Sequence, residues 1–433
     1  MKGAGQSVEA LAAAQAIGAG VYRNALVLSA ASHAGAVLAF FATTIFARRL
    51  TVENFGLLSA SLAAAFLAFQ FADLGISTVT TKRFAQRSLD RIEHFAAVLS
   101  LRAMLAVGVL IVLLVVEGGL RSATPSAQLL LLFVGAAFLL DSLSDVCISA
   151  LRGHERINEE AIVNTVRATA LLVGTLVWAW TSTGFSVTTA GLVFLFTALA
   201  KWCAAVVVAR PDVRFTVSPE SRAIWRDILG EAVPLGAAAV ASQFVLRLDT
   251  LLILWFRGER EAGLYGVCYS IFSGVQIVWT AFLVSFFANA SRRFALDPAA
   301  FWTRWFHAFG LTATYTIATA LVLSFWARDL VRLLFGSSYV EGAAVLPLLL
   351  GVNVLLALTS LCAVGIVVSG RSMPIARVNL FALALHATLG LVIVPRLGFI
   401  GAGLVSMVTH SVALILLFRV VLQRRAQAAL LAG

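Results

Sequence analysis

Apolar stretches of about 20 residues recur along the chain and are separated by short polar connections. A hydrocarbon core about 30 Å thick needs a helix of roughly 20 apolar residues, so each stretch has the length of a transmembrane helix. The pattern predicts twelve spans, and a short amphipathic helix that begins after Ser218 in the longest connection. The predicted spans are 24–47, 55–78, 95–116, 128–150, 161–180, 188–209, 232–256, 264–289, 305–327, 344–369, 377–395 and 400–422.

The composition agrees with a polytopic membrane protein. The 433 residues are 61% hydrophobic and 12% charged, whereas a soluble domain has about 25% charged residues. A net charge of +11 would indicate nucleic-acid binding in a soluble protein, but here it follows membrane topology. Of the 32 Lys and Arg residues, 20 fall on the side of both termini, eight on the other side and four within spans. The positive-inside rule therefore predicts cytoplasmic termini, and we expect no nucleic-acid partner.

The longest connection divides the chain into two sets of six spans. FGLLSAS at Phe55 matches AGLYGVC at Ala262, and TAGLV at Thr189 matches GAGLV at Gly401. Both matches open an even-numbered span, so we predict an internal parallel repeat, as in transporters whose substrate path lies between the halves. The predicted organisation is a cytoplasmic segment 1–23, a six-helix bundle 24–209, a cytoplasmic linker 210–231 with the amphipathic helix, a six-helix bundle 232–422 and a cytoplasmic tail 423–433.

Eight Asp, Lys and Arg residues fall within the predicted spans and more than three residues from either end. On insertion scales each costs about 2.5–3.5 kcal/mol at a helix centre. Facing lipid together, they would cost on the order of 20 kcal/mol, which exceeds the usual folding stability of about 5–15 kcal/mol. Most must therefore line a polar interior, pair with one another or extend to an interface. The eight are Asp73, Arg102, Asp141, Asp145, Arg167, Lys201, Arg247 and Asp249.

Arg247 is the strongest candidate for a substrate contact, because it lies deep in span seven and neither interface is within easy reach. At about 100° per residue, Arg247 and Asp249 point to nearly opposite sides of the helix and cannot neutralise each other. Gln243, Arg247 and Thr250 form a polar stripe, which we assign to a substrate lumen. Asp249 is then expected to meet a partner on a neighbouring helix. A guanidinium suits a phosphate or a sugar carboxylate through its bidentate donors.

The other basic residues within spans leave two alternatives open. Arg102, Arg167 and Lys201 either line the same lumen or extend along their apolar stems toward the inner surface. Asp141 and Asp145 are four residues apart and share one helix face. That spacing suits a cation or proton site, and equally ion pairs with Arg102 or Arg167.

Four further residues are candidates for ion coupling or for structural pairing. Asp73 lies near an inner helix end, and His33, His386 and His410 lie near the middle of their spans. A buried core role is the simpler interpretation of each histidine, while together they allow a proton-coupled step. Coupling to H⁺ or Na⁺ is left open, and no other cofactor or metal is expected. The four cysteines lie in apolar runs without a CxxC pair and are interpreted as packing residues: Cys147, Cys203, Cys268 and Cys362.

Four segments carry a family resemblance. RRLTVENFGLLSASLAAAFLAFQFADLGIS resembles the first hairpin of bacterial polysaccharide flippases, the O-antigen and exopolysaccharide translocases of the multidrug/oligosaccharidyl-lipid/polysaccharide exporter superfamily. VPLGAAAVASQFVLRLDTLLILWFRGEREAGLYGVCYSI is similar to the matching hairpin of their second half. LLFGSSYVEGAAVLPLLLG and LGFIGAGLVSMV resemble the entries to their spans ten and twelve. The resemblance covers nearly the whole chain and keeps the order of the spans.

The resemblance implies two six-helix bundles around a central cationic lumen. It implies movement of a polyprenyl-pyrophosphate-linked oligosaccharide from the inner to the outer leaflet by alternating access, for lipopolysaccharide or exopolysaccharide synthesis. It also implies a bacterial inner-membrane protein, with membrane lipids and other polysaccharide-assembly membrane proteins as partners, and we expect a monomer. Arg247 and Asp249 match the charged positions of the family's span seven, and Asp73 matches its Asp-Leu-Gly.

Three other classes of membrane protein compete with this interpretation. A polysaccharide polymerase or ligase would carry a large outward loop with clustered arginines or histidines, which the sequence lacks, so we predict a transporter and no catalytic residue. A lipid II flippase would typically have two helices beyond twelve, whereas this sequence predicts twelve. A cation-coupled multidrug or metabolite antiporter of the same superfamily would share the fold but have a more acidic cavity. The antiporter is the alternative to the polysaccharide flippase.

Overall fold

The computed structural model describes residues 28–86, 91–120, 124–181, 185–210, 218–370 and 372–432, and these segments are helical throughout apart from short turns. The predicted segment 1–23, the first four residues of predicted span one and residues 211–217 of the predicted linker lie outside the described residues. The helices are α1 (Leu28–Arg49), α2 (Val52–Asp73), α3 (Ile76–Ala85), α4 (Arg91–Leu120), α5 (Pro125–Gly153), α6 (Ile157–Thr181), α7 (Val187–Ala209), α8 (Pro219–Arg257), α9 (Glu259–Leu296), α10 (Pro298–Phe325), α11 (Ala327–Phe335), a 3₁₀ helix (Ser337–Val345), α12 (Leu346–Val368) and α13 (Met373–Ala432).

Eleven helices of the described segments are long and apolar enough to cross a membrane. The apolar part of α13, Met373–Gln427, has 55 residues, which at 1.5 Å per residue is about 80 Å, or two crossings. Gly398 has non-helical angles (φ 58°, ψ −140°) and follows Pro395, which has no backbone N–H to donate. The predicted spans eleven and twelve are therefore the two arms of α13. The prediction of an all-α polytopic membrane protein is confirmed.

The end of α2 departs from the predicted span 55–78. The helix stops at Asp73, and Leu74 and Gly75 both have positive φ, 39° and 87°. At Gly75 a Cβ atom would lie 2.7 Å from the carbonyl oxygen of Ala232 in α8, so this position requires glycine for both its φ and its space. The chain then continues as the short helix α3.

The predicted amphipathic helix is the first part of α8. Ser218 caps it by accepting the N–H of Ser221, and Pro219 occupies the first turn, as the sequence predicts. The helix then runs unbroken through Pro234 for 39 residues, so it joins span seven instead of lying as a separate element. Its start packs on the first half of the chain, where the indole Nε1 of Trp225 donates to the carbonyl oxygen of Ala97 at 2.7 Å.

The two halves share one core at the end where α2 and α9 begin, which we call the closed end. There Phe55 and Leu58 of α2 belong to the same buried cluster as Leu264 and Phe272 of α9. At the opposite end the cores are separate. One contains first-half residues and the start of α8, and the other contains only second-half residues. The halves are therefore joined at the closed end and separate at the other.

Two glycines let α2 and α9 touch at the closed end. A Cβ atom at Gly56 would lie 1.8 Å from the carbonyl oxygen of Glu259, and one at Gly263 would lie 2.1 Å from that of Val52. Each glycine thus faces the residue four positions before the other glycine. This reciprocal contact follows the offset between the FGLLSAS and AGLYGVC segments. The internal repeat itself stays a prediction.

Candidate functional site

A cavity of about 620 Å³ lies between the two halves, within the usual size range of ligand sites. Helices α1, α2, α8 and α9 contribute most of its lining, and α3 to α7 contribute further side chains, most of them polar. Seven of the eight predicted in-span charges line it: Asp73, Arg102, Asp141, Asp145, Arg167, Lys201 and Arg247. These side chains come from six different helices, so the cavity exists only once both halves are assembled.

Arg102 caps the C-terminal end of α2. Its side chain is only 3% exposed, and its Nη1 donates to Asp73 Oδ1 and, at 3.0 Å, to the carbonyl oxygen of Ala72. The last carbonyls of a helix lack intrahelical partners and favour a nearby cation. Nε of Arg102 donates to Ser142 Oγ at 2.8 Å, and Asp73 accepts from Ser77 Oγ at 2.6 Å. Arg102 is therefore a fully bonded, buried cation.

Lys201 and Arg167 bind the carboxylate pair of α5. The Nζ atom of Lys201 lies 3.2 Å from Asp141 Oδ1 and 3.0 Å from Asp145 Oδ1. Nη2 of Arg167 lies 3.2 Å from Asp141 Oδ2. The side chains of Arg167 and Asp145 remain 49% and 43% exposed, whereas that of Lys201 is 7% exposed. This cluster therefore joins α5, α6 and α7 and leaves two polar groups open to the cavity.

Arg247 projects from α8 on the opposite wall. Its guanidinium carbon lies 4.4 Å from the ring centre of Tyr269 and 5.5 Å from that of Phe66, which places the cation over two aromatic rings. It makes no salt bridge with any residue that the structure describes. Thr250 also lines the cavity, but Gln243 is half-buried and does not. The predicted polar stripe reaches the cavity only at Arg247 and Thr250.

The cavity is less cationic than the family resemblance implies. Its four basic side chains face three carboxylates, and three of the four bases are paired with those carboxylates. The formal charge of the lining is therefore +1. The unpaired charge is that of Arg247, so the positive character of the cavity is concentrated at one residue.

Asp249 points away from the cavity into the second half. It is 1% exposed, and its Oδ1 lies 3.0 Å from His386 Nε2. Its Oδ2 accepts from the hydroxyls of Tyr265 at 3.0 Å and Ser406 at 2.5 Å. The Nδ1 atom of His410 lies 2.9 Å from the carbonyl oxygen of Ser406. This acid–base cluster ties α8 and α9 to both arms of α13.

His33 lies apart from both groups. Its Nε2 is 3.3 Å from Thr280 Oγ1, so it links α1 to α9. All four cysteines are free, and only Cys203 is exposed. No group of three or more His, Cys, Asp or Glu side chains suited to hold a metal ion is found in the described ranges.

The sequence pattern missed the uncharged part of the cavity. Aromatic side chains line both halves, among them Phe66, Phe69, Phe138 and Tyr269. It also missed Tyr265 and Ser406, which bind Asp249. Aromatic and small polar residues occur on every face of these spans, so their presence alone gives no signal of which ones face a cavity. Tyr265 lies in the Gly-Leu-Tyr segment that the family resemblance singles out.

Comparison with known proteins gives the fold and the family. The lipid II flippase MurJ in an inward closed conformation has a TM-score of 0.75 at 13% identity, covering 93% of this chain and 90% of that chain. An inward-facing multidrug resistance MATE family transporter of the MOP superfamily has a TM-score of 0.70 at 16% identity, covering 93% and 99%. A MOP superfamily transporter from Pyrococcus furiosus, described as having a binding pocket of reverse polarity, has a TM-score of 0.62 at 16% identity, covering 93% and 96%.

No curated protein matches the sequence. A family model described as polysaccharide biosynthesis protein matches residues 21–287, which is more than half of the chain and includes α1 to α8 and most of α9. The cavity lining lies entirely within that match. The chain therefore belongs to the polysaccharide biosynthesis protein family and has the fold of MOP-superfamily transporters.

Proposed function

We propose that this protein is a flippase that moves a polyprenyl-pyrophosphate-linked oligosaccharide from the inner to the outer leaflet, for synthesis of a cell-surface polysaccharide. The observation that carries the proposal is Arg247, an unpaired guanidinium in a cavity between the two halves of a polysaccharide biosynthesis family member. The proposed location is the bacterial inner membrane with both termini in the cytoplasm. The proposed unit is a monomer that works beside other polysaccharide-assembly proteins.

We propose alternating access, and the way the halves are joined supports it. If the termini are cytoplasmic, α2 and α9 begin at the outer surface, so the closed end is the outer one. The separate cores then lie at the cytoplasmic end, where a lipid-linked precursor enters. Outward opening requires the shared core to part and the two inner ends to approach. The Gly56 and Gly263 contact lies in the region that would separate.

Arg247 is proposed to bind the pyrophosphate. Its planar donors can engage two phosphate oxygens at once, and the rings of Tyr269 and Phe66 hold the guanidinium in place. The charge of the substrate then meets a compensating charge while it crosses the low-dielectric layer. Arg102, Lys201 and Arg167 are proposed to complete the lumen as paired groups, and Gln243 is left outside it.

Ion coupling is proposed for the acidic groups, with H⁺ or Na⁺ as the coupling ion. Asp249 with His386 and His410 is one candidate, because the three are buried together behind Arg247. Asp73, Asp141 and Asp145 in the cavity are the other. His33 is proposed to stabilise the contact between α1 and α9.

Lipid-linked glycan in cells tests the proposal. In a strain lacking the protein, repeat units linked to undecaprenyl pyrophosphate should accumulate on the inner leaflet, and the wild type should clear them. Arg247→Ala should lower the clearance rate at least about tenfold, because a hydrogen bond to a charged group contributes about 1.5–3 kcal/mol. Arg247→Lys should fall between the two, since lysine keeps the charge without the bidentate geometry.

Arg332→Ala is the matched control, since Arg332 is 61% exposed on α11 and does not line the cavity. It should clear the glycan at the wild-type rate. Membrane abundance of each variant is measured by immunoblot so that loss of protein is separated from loss of transport. Wild-type clearance by both Arg247 variants would show that Arg247 is structural.

A cation-coupled multidrug or metabolite antiporter is the second candidate. It is favoured by the three cavity carboxylates, which could bind a cationic compound, and by the fold it shares with a multidrug resistance transporter. The deletion strain distinguishes the two. Sensitivity to ethidium without accumulation of polyprenyl-linked glycan would establish the antiporter, and accumulation without drug sensitivity would exclude it.

A further inference from the structure

The polar wall that the first half contributes to the cavity consists of cations and carboxylates that are paired with one another. Arg102 is paired with Asp73, Arg167 with Asp141, and Lys201 with Asp141 and Asp145. Three cations and three carboxylates therefore cancel over this wall. In the described part of the cavity, the remaining cation is Arg247 on the facing wall.

An anionic sugar would fit this wall poorly. To bind Arg102 or Lys201 it would have to displace a carboxylate, and both cations are almost fully buried within their existing bonds. The displaced aspartate would be left as an unpaired charge in a low-dielectric site, which is the costly outcome of breaking a buried pair. The exposed carboxylate of Asp145 would in addition repel a sugar carboxylate.

A neutral sugar meets no such conflict. Its hydroxyls can donate to the exposed carboxylate of Asp145 and accept from the exposed guanidinium of Arg167 without breaking either ion pair. The rings of Phe66, Phe138 and Tyr269 line the same cavity and offer faces for the apolar side of a sugar ring. Mixed polar and aromatic lining of this kind suits an uncharged carbohydrate.

We infer that the repeat unit carried by this protein is an uncharged oligosaccharide and that its pyrophosphate is the single anionic group recognised, by Arg247. This inference rests on the proposed function and narrows its substrate class. Recognition is then divided between the halves. The first half binds sugar hydroxyls through paired charges, and the second half binds the phosphate through an unpaired one.

Transport of two matched glycolipids tests the inference. The purified protein is reconstituted into liposomes with a fluorescent undecaprenyl-pyrophosphate trisaccharide of neutral hexoses, or with the same molecule carrying one hexuronic acid. Flipping is read as loss of fluorescence to an external quencher. We expect the neutral glycan to move at least about tenfold faster, because like-charge contact in a desolvated site is strongly unfavourable.

The variant Asp145→Asn tests whether the wall charge itself causes the preference for the neutral glycan. Lys201 keeps its contact with Asp141 in this variant, so the wall stays assembled while one exposed negative charge is lost. The ratio of neutral to acidic transport should fall by about threefold or more, mainly through faster transport of the acidic glycan. Asp329→Asn, on exposed α11, should leave the ratio unchanged.

The outcomes separate the two levels of the proposal. Equal transport of both glycans, or faster transport of the acidic one, would overturn the neutral-substrate inference and leave the flippase standing. Movement of neither glycan by a protein that elutes as a single folded species would overturn the proposed function and this inference with it. An unchanged ratio in Asp145→Asn would remove the wall charges from the explanation of specificity.

Discussion

Gly56→Ala is expected to destabilise the protein and to abolish transport. The new Cβ atom would lie 1.8 Å from the carbonyl oxygen of Glu259, and a backbone atom in a packed helix cannot move aside as a flexible side chain can. Overpacking of a core usually costs about 1–3 kcal/mol, and a backbone clash belongs at the upper end of that range. The midpoint of thermal unfolding in detergent should fall, and polyprenyl-linked glycan should accumulate in cells.

Gly108→Ala is the matched control for this substitution. Gly108 is also in a membrane helix, but a Cβ atom there meets nothing within 4 Å. The change should be neutral or stabilising, since alanine exceeds glycine in helix propensity by about 1 kcal/mol. Gly263→Ala should reproduce the Gly56→Ala defect, because it meets Val52 in the reciprocal contact. Unfolding midpoints equal to the wild type in both variants would show that α2 and α9 are not held together here.

Asp249→Ala is expected to be the most damaging change to a charged residue. It leaves His386, Tyr265 and Ser406 without their common acceptor inside the second half. Removing one partner of a buried pair typically costs about 3–5 kcal/mol, which is a large part of the usual free energy of unfolding of about 5–15 kcal/mol. The thermal midpoint should fall sharply, and the variant should fail to restore glycan clearance.

Two further variants separate the charge of Asp249 from its hydrogen bonds. Asp249→Asn keeps an acceptor oxygen for the hydroxyls, so it should be more stable than Asp249→Ala. The double variant Asp249→Ala with His386→Ala should lose less stability than the sum of the single changes, because it leaves no unpaired histidine. Asp329→Ala, at an exposed position, should unfold like the wild type. Additive losses in the double variant would contradict a direct interaction between Asp249 and His386.

Helix α8 couples the cavity to this buried cluster. Arg247 and Asp249 are two residues apart, so about 200° of helical rotation sends one side chain into the cavity and the other into the second half. Helix α9 repeats the arrangement, since Tyr269 packs on Arg247 and Tyr265 donates to Asp249 one turn away. The two tyrosine rings are 6.2 Å apart. A displacement of α8 caused by substrate binding at Arg247 would therefore also move Asp249 relative to His386.

The membrane architecture could be predicted from the sequence because apolar length is a local property. Each span reads directly as a run of apolar residues, and the capping of α8 by Ser218 follows from residue type and position. The continuation of α8 through Pro234 could not be predicted in the same way. Packing of its first turns on the first half, including the bond from Trp225 to Ala97, holds the helix together across the proline.

The residues of the candidate site could be predicted from the sequence better than the ion pairs between them. Charged residues are rare in spans, so the sequence identified all seven charges that line the cavity. It proposed Arg102 or Arg167 as partners of Asp141 and Asp145. Arg167 does bind Asp141, but Arg102 pairs with Asp73, and Lys201 binds both aspartates. Pairing depends on the depth and rotation of helices whose paired residues are 26 to 60 positions apart in the chain, which no local pattern records.

The sequence by itself determined that the chain crosses the membrane many times and that charges such as Arg247 require a polar interior, because both follow from the cost of transferring side chains into hydrocarbon. Only the tertiary structure decided which charges remain free. Arg102 and Arg247 have the same side chain, yet one is neutralised at the end of α2 and the other lies over aromatic rings in the cavity. That difference arises from the simultaneous packing of several helices, in which close glycine contacts and crossing angles set which faces meet.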